Sequence, residues 1–268
     1  MGLPIGSRIS RGCTHCAASL DKQYMRTNSI MMQAPWSESV MLIRAGAMAL
    51  LVAGVTGVAA ARGQALQTED TRPLSPAQVL LFETPHMQNL SHPETLAYAY
   101  TRDGAAGFKD TVALHIRQVN PDGTKDVSFD YLTGPRRIAL PELDHFRGNP
   151  LLMVTLERDA TEMKDQLGLS ASYFRNRIRE GFVSAADVAA GTYLLNGKEV
   201  QAQVVTVRPF AGDDRLERIS QVQAKTYIFT LSDAVPGGIA EIRIAMPADA
   251  RMGAPAFEQR TTFQDVQP

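Results

Sequence analysis

Asn196-Gly197 stands between "TYLL" and "KEVQAQVVTV", and this pairing leaves the backbone few choices. The two-residue turn that matches the twist of adjoining strands requires positive φ at both central positions, a conformation that Asn and Gly adopt most readily. A tight antiparallel hairpin follows. The same grammar recurs along the chain. Val112, Leu114 and Ile116 alternate with Ala113, His115 and Arg117, "NPDG" at 120–123 makes a turn, and Val127, Phe129 and Tyr131 alternate on its far side. "KTYIFTL" at 225–231 and "GIAEIRIAM" at 238–246 flank Pro236-Gly237-Gly238. Leu96, Tyr98 and Tyr100 share one face of a strand that ends at Asp103-Gly104. Alternation with period two is the pattern of half-buried strands, and short turn-rich links make them antiparallel neighbours.

The middle of the chain changes period. Asn149 before Pro150 has the form of a helix start, and Leu152, Leu156, Met163 and Leu167 recur at helical spacing until Gly168, which suits a left-handed cap. A second helix is predicted from Ser170 or Ser172, burying Phe174, Ile178 and Phe182. "SAAD" at 184–187 is expected to start a third short turn. Ser75-Pro76 predicts a short helix stopped by Pro85. A short strand is expected over 138–140, and "ELDHFRGN" reads as a loop. Strands, then helices, then strands give an α+β domain: a curved antiparallel sheet built from hairpins, with a mid-chain pair of amphipathic helices packed on one face. The domain is expected over 66–250, and 251–268, rich in Ala, Gly, Pro and Gln, as a loose tail.

Upstream lies a different kind of segment. Arg44 precedes a run from Ala45 to Ala61 with no charged residue, and Ala59/Ala61 or Gly63/Ala65 supply the small residues a signal peptidase accepts. Residues 41–65 therefore read as a cleaved export signal, which places the protein in the periplasm. The alternative is an inner-membrane anchor over 45–61, marginal because a span needs about 20 apolar residues. Residues 1–40 show no sustained period and read as an upstream extension, with Met41 as the initiator. Both cysteines, Cys13 and Cys16, lie there, so processing would leave a thiol-free chain without disulfides. Removing 1–61 leaves 22 basic residues against 26 acidic ones. That balance argues against nucleic-acid binding, which needs a basic face.

Motifs for chemistry are few. The chain has no G-x-S-x-G, no phosphate loop, no H-E-x-x-H and no dinucleotide fingerprint, and no cofactor is expected. His86 and His92, with Glu83 and Glu94 nearby, are candidates for a divalent metal and hence for a metal-assisted hydrolase. His115 and His145 read as half-buried structural residues. "YFRNRIRE" at 173–180 puts Arg175 and Arg179 on one helical face. They could clamp an anion, or pair with Glu157, Asp159 or Glu180. Arg136 and Arg137 are weaker candidates of the same kind. The charged run around Asp213 and Arg215 reads as a solvated loop.

A curved sheet whose helices do not fill its concavity would leave an apolar cleft. In general plan this resembles the periplasmic lipoprotein carriers, an open antiparallel half-barrel with a helical lid; the resemblance is one of architecture. The reading reached is an envelope protein that binds a lipid-like ligand or another envelope protein without chemistry. Leu152, Leu156, Phe174, Ile178, Arg175 and Arg179 are its ligand-binding candidates, and no membrane span is expected after processing. A structural subunit that presents a sheet edge is a further alternative.

Overall fold

Alternation along the chain becomes a nine-stranded antiparallel sheet in the computed structural model, which describes residues 73–104, 107–251 and 253–267. The strands are β1 (Glu94–Arg102), β2 (Phe108–Val119), β3 (Lys125–Tyr131), β4 (Leu143–Phe146), β5 (Ala186–Leu195), β6 (Lys198–Val207), β7 (Thr226–Leu231), β8 (Ile239–Met246) and β9 (Phe257–Gln267). Their order in the sheet is β4-β3-β2-β1-β9-β8-β7-β6-β5. Two meanders of consecutive strands are thus joined through β9, and β4 and β5 remain as opposite edges. The extension 1–40, the export signal 41–65 and both cysteines lie outside the described residues.

Register puts the apolar alternates in rows on one face. Leu96 lies opposite Leu114, which lies opposite Phe129; Tyr227 lies between Val207 and Ile244, and Phe229 between Val205 and Ile242. The hairpin turn between β5 and β6 has φ of 50° at Asn196 and 76° at Gly197, the two positive angles that the dipeptide promised.

Two helices cover that face. Helix α1 (Pro76–Gln78) is a single turn that runs on as a π-turn, Val79–Glu83; α2 is Leu151–Leu167 and α3 is Ala171–Ser184. Asn149 Oδ1 accepts from the Leu151 amide at 3.0 Å, and α2 ends at Gly168 with φ 71°. Ser170 Oγ then caps α3 by accepting from the Tyr173 amide at 3.1 Å. The α2–α3 segment joins β4 to β5, the two edges of the sheet, so it must cross from one side of the sheet to the other. At roughly 1.5 Å per residue, the 17 and 14 residues of α2 and α3 supply the reach. A flat sheet of this many strands at about 4.8 Å spacing would be roughly 38 Å wide.

Four local expectations need correction. "SAAD" at 184–187 does not open a third helical turn, because β5 already begins at Ala186. The fourth strand lies at Leu143–Phe146, in the stretch read as a loop, while Ile138 makes only an isolated bridge to Tyr131. Two paired positions, Lys125 with Phe146 and Val127 with Leu143, hold β4, too few to leave an alternation. The last correction is the largest: the stretch read as a loose tail holds β9 (Phe257–Gln267), an interior strand flanked by β1 and β8. Its inward positions include the buried Gln259 and Thr261, and these polar side chains hide the strand period. The domain accordingly extends to the end of β9, beyond residue 250.

The helices sit close to the sheet. A Cβ on Gly181 of α3 would lie 2.8 Å from Pro209 Cβ and 3.0 Å from Val207 Cγ2, so this position requires glycine's missing side chain. Gly181→Val should push α3 outward and cost about 1–3 kcal/mol, the usual range for overpacking. A lowered urea midpoint at unchanged slope would register it.

Candidate ligand site beneath the helical pair

The underside of the helices is apolar at the predicted positions. Leu152, Leu156, Phe174 and Ile178 are all buried and belong to one continuous core with the inward face of the sheet. Aromatic rings bridge the layers: Phe174 meets Phe210 edge-on at 6.0 Å, and Phe182 lies 5.8 Å from Phe229 of β7. Phe82, from the π-turn after α1, packs edge-on against Phe182 at 5.2 Å. Sequence reasoning brought these four candidates to one face, and the fold packs that face against the strands.

A second, polar set of contacts ties α2 to the sheet, and no spacing along the chain signals it. Asp159 is buried and accepts from Lys225 Nζ at 2.6 Å and from the Tyr227 hydroxyl. Arg158 Nη1 donates to the Tyr100 hydroxyl at 2.8 Å, with its guanidinium 5.3 Å from the Tyr100 ring centre and 5.4 Å from that of Tyr131. The Tyr100 hydroxyl in turn donates to Gln259 Oε1 at 2.7 Å. Arg102 of β1 grips both carboxylate oxygens of Glu162. Burial pushes the Glu162 carboxyl up, but the bonds and charge of Arg102 outweigh it and hold the group below the ordinary range. Burial, followed by the charge of Asp159, raises the Tyr227 hydroxyl well above its ordinary value, so it stays a donor.

Some polar atoms in this interface remain unpaired. Thr155 Oγ1 of α2 and Thr261 Oγ1 of β9 are buried with no hydrogen-bond partner among the described residues. A buried polar group without a partner costs about 1–3 kcal/mol. A buried ion pair is often no more stabilising than an apolar pair of the same volume. The interface between helices and sheet therefore carries penalties that an apolar core would avoid.

The arginines divide by position. Arg175 is committed to Glu157 of α2, with Nε to Oε2 at 2.7 Å and Nη2 to Oε1 at 2.9 Å, so it ties the two helices together. Arg177 pairs with Glu180 and Asp213, each at 2.8 Å. Arg179 lies on the exposed side of α3. Asp159, one of the partners expected for these arginines, is instead bound to Lys225. Arg137 pairs with Asp130, and Arg136 lies over the Phe108 ring at 4.4 Å.

The histidines also separate. His86 is buried, and its Nε2 lies 2.8 Å from the Leu80 carbonyl oxygen. A carbonyl only accepts, so Nε2 carries the proton and Nδ1 is a bare acceptor, without a partner among the described residues. His92 is exposed and lies 3.4 Å from Glu94. His115 bridges Thr95 and Asp130, and His145 approaches Thr124. Among the described residues, no group of three or more His, Cys, Asp or Glu side chains is arranged to hold a metal ion. Burial lowers the His86 pKa below its ordinary value. An unfolded chain takes up this proton below about 6.5 while the folded chain resists it. The associated stability is therefore present above that pH and is lost as pH falls toward the folded pKa. Melting temperature should drop from pH 7.5 to 5.5, and His86→Gln should flatten that dependence.

No family model and no curated protein matches the chain. Solved structures give distant likenesses. The lipoprotein LppX of Mycobacterium tuberculosis is 9% identical, with 65% of this chain and 86% of that chain covered, at a TM-score of 0.27. A DUF1329 family protein from Desulfovibrio piger is 12% identical over 74% of this chain and 93% of its own, at 0.24. A LolA superfamily protein from Nitrosomonas europaea is 10% identical over 71% and 92%, at 0.20. At these scores the likenesses carry no inference about what this chain does. Among the described residues, no helix is long and apolar enough to cross a membrane.

Proposed function

We propose that this chain is a non-catalytic binder of an apolar ligand in the cell envelope, with the α2–α3 pair as a lid over the sheet. One observation carries the reading: the joint between helices and sheet is apolar but burdened. It buries Leu152, Leu156, Phe174 and Ile178 together with the Asp159–Lys225 pair and the unpaired hydroxyls of Thr155 and Thr261. When such a joint opens, the charges and hydroxyls regain water, which offsets part of the cost of exposing apolar surface. The interior then offers an acyl chain the same side chains that the lid covers when closed. Residues 41–65, read as a cleaved export signal, supply the compartment.

The Arg102–Glu162 pair should act as a latch on this motion. Uptake of a fluorescent long-chain fatty acid by the processed protein should be measurable by stopped flow. Glu162→Gln should raise the uptake rate several-fold while lowering stability by only about 1 kcal/mol, since the pair is partly exposed. A protein that takes up no probe, or a variant with the wild-type rate, would count against a moving lid.

A further inference from the structure

A separate cavity of about 240 Å³ lies where the loop after α1 meets β6 and the turn between β7 and β8. Its walls are fixed by the backbone. Asn89 Nδ2 donates to the Val235 carbonyl at 3.1 Å and Asn89 Oδ1 accepts from the Gly237 amide at 3.2 Å, while Ser232 Oγ donates to the Gln201 carbonyl at 2.6 Å. Gly237 and Gly238 both hold φ of 74°, and a Cβ on Gly238 would lie 2.9 Å from His86 Cβ. Glycine thus lets the turn close against the His86 loop.

The lining is chemically one-sided. Gln88, Gln201, Gln203 and Asp233 face the cavity region with no side-chain hydrogen bond among the described residues, and no lysine or arginine lines it. His86 is also in the wall, though its unpartnered Nδ1 is shielded from the cavity. Carboxamides offer a donor and an acceptor side by side, and the carboxylate adds acceptors. Such a set has no cation for a phosphate or carboxylate and a surplus of acceptors that call for donors. Hydroxyl groups, each donor and acceptor at once, satisfy it best. Leu80 and Leu231 supply apolar wall for the carbon skeleton. The volume is below the range of about 300–1,000 Å³ typical of drug-sized ligands.

We propose that this cavity binds an uncharged, hydroxyl-rich group about the size of a monosaccharide, either as a free sugar or as the headgroup of a glycolipid. The glycolipid source rests on the lid reading above; the free-sugar source does not. The test is a titration of the processed protein, followed by the side-chain amide resonances of Gln88, Gln201 and Gln203. The probes are methyl glycosides of common hexoses, octyl glucoside and tetraethylene glycol monooctyl ether, each amphiphile below its micelle concentration. Glycosides should shift these resonances and the ether should not. The double variant Gln88→Leu, Gln203→Leu, at exposed positions that folding tolerates, should weaken glycoside binding at least tenfold. Octyl glucoside binding at least tenfold tighter than the methyl glycosides identifies a lipid headgroup; comparable affinities identify a free sugar. Unmoved amide resonances with every glycoside, or equal affinity in the double variant, would overturn the proposal. If the ether still bound in that case, the lid reading would survive it.

Discussion

Truncation after Ala256 is expected to leave no cooperatively folded protein. The deletion removes β9, which pairs with β1 along one side and with β8 along the other. Without it, the β1–β4 meander and the β5–β8 meander lose their shared strand, and the inward Gln259, Thr261 and Phe263 vanish from the core. Both new edges would expose a row of unpaired backbone groups, a template for aggregation. Soluble yield and the cooperative thermal transition should both be lost. Removing only residues 264–268 is the control. The side chains of Gln264, Asp265, Val266 and Gln267 are exposed, so this shorter truncation should keep a cooperative transition. A cooperative melt after the longer truncation would contradict the interior placement of β9.

Asp159→Ala is the second large effect. It strands the ammonium of Lys225, itself buried, without its carboxylate. Breaking a buried pair from one side costs about 3–5 kcal/mol, a large share of the roughly 5–15 kcal/mol that holds a typical domain together. Adding Lys225→Met should recover most of the loss, because an apolar pair of similar volume replaces the ions. The Tyr227 hydroxyl still loses its acceptor, so recovery should stop short of wild type. Urea unfolding of the two single variants and the double variant measures the coupling directly. Additive losses would mean that the two groups do not meet in the folded protein.

The legible parts of this fold are those whose information is local. Asn196-Gly197 specifies its own turn, Gly168 and Ser170 cap adjacent helices, and Leu152, Leu156, Phe174 and Ile178 announce a buried stripe by spacing alone. What the stripe faces is a tertiary fact. β9 is not legible by alternation because its inward face carries Gln259 and Thr261, and a polar inward residue erases the period that marks a strand. Gln259 tolerates burial because the Tyr100 hydroxyl donates to it from a residue 159 positions away. The contacts between α2 and the sheet were hidden for the same reason. Asp159 and Lys225 stand 66 positions apart, and each alone looks like an ordinary solvated charge. The carboxamide-lined cavity gathers side chains from the loop after α1, from β6 and from the β7–β8 turn, and no spacing rule connects them.

Native mass spectrometry of the processed protein, purified without detergent from the envelope of its own organism, tests the lid reading most directly. The proposed function requires a population whose mass exceeds that of the polypeptide by one lipid-like molecule, with the excess released by organic solvent. A single species at the polypeptide mass, with a melting temperature indifferent to added lipid, would contradict it.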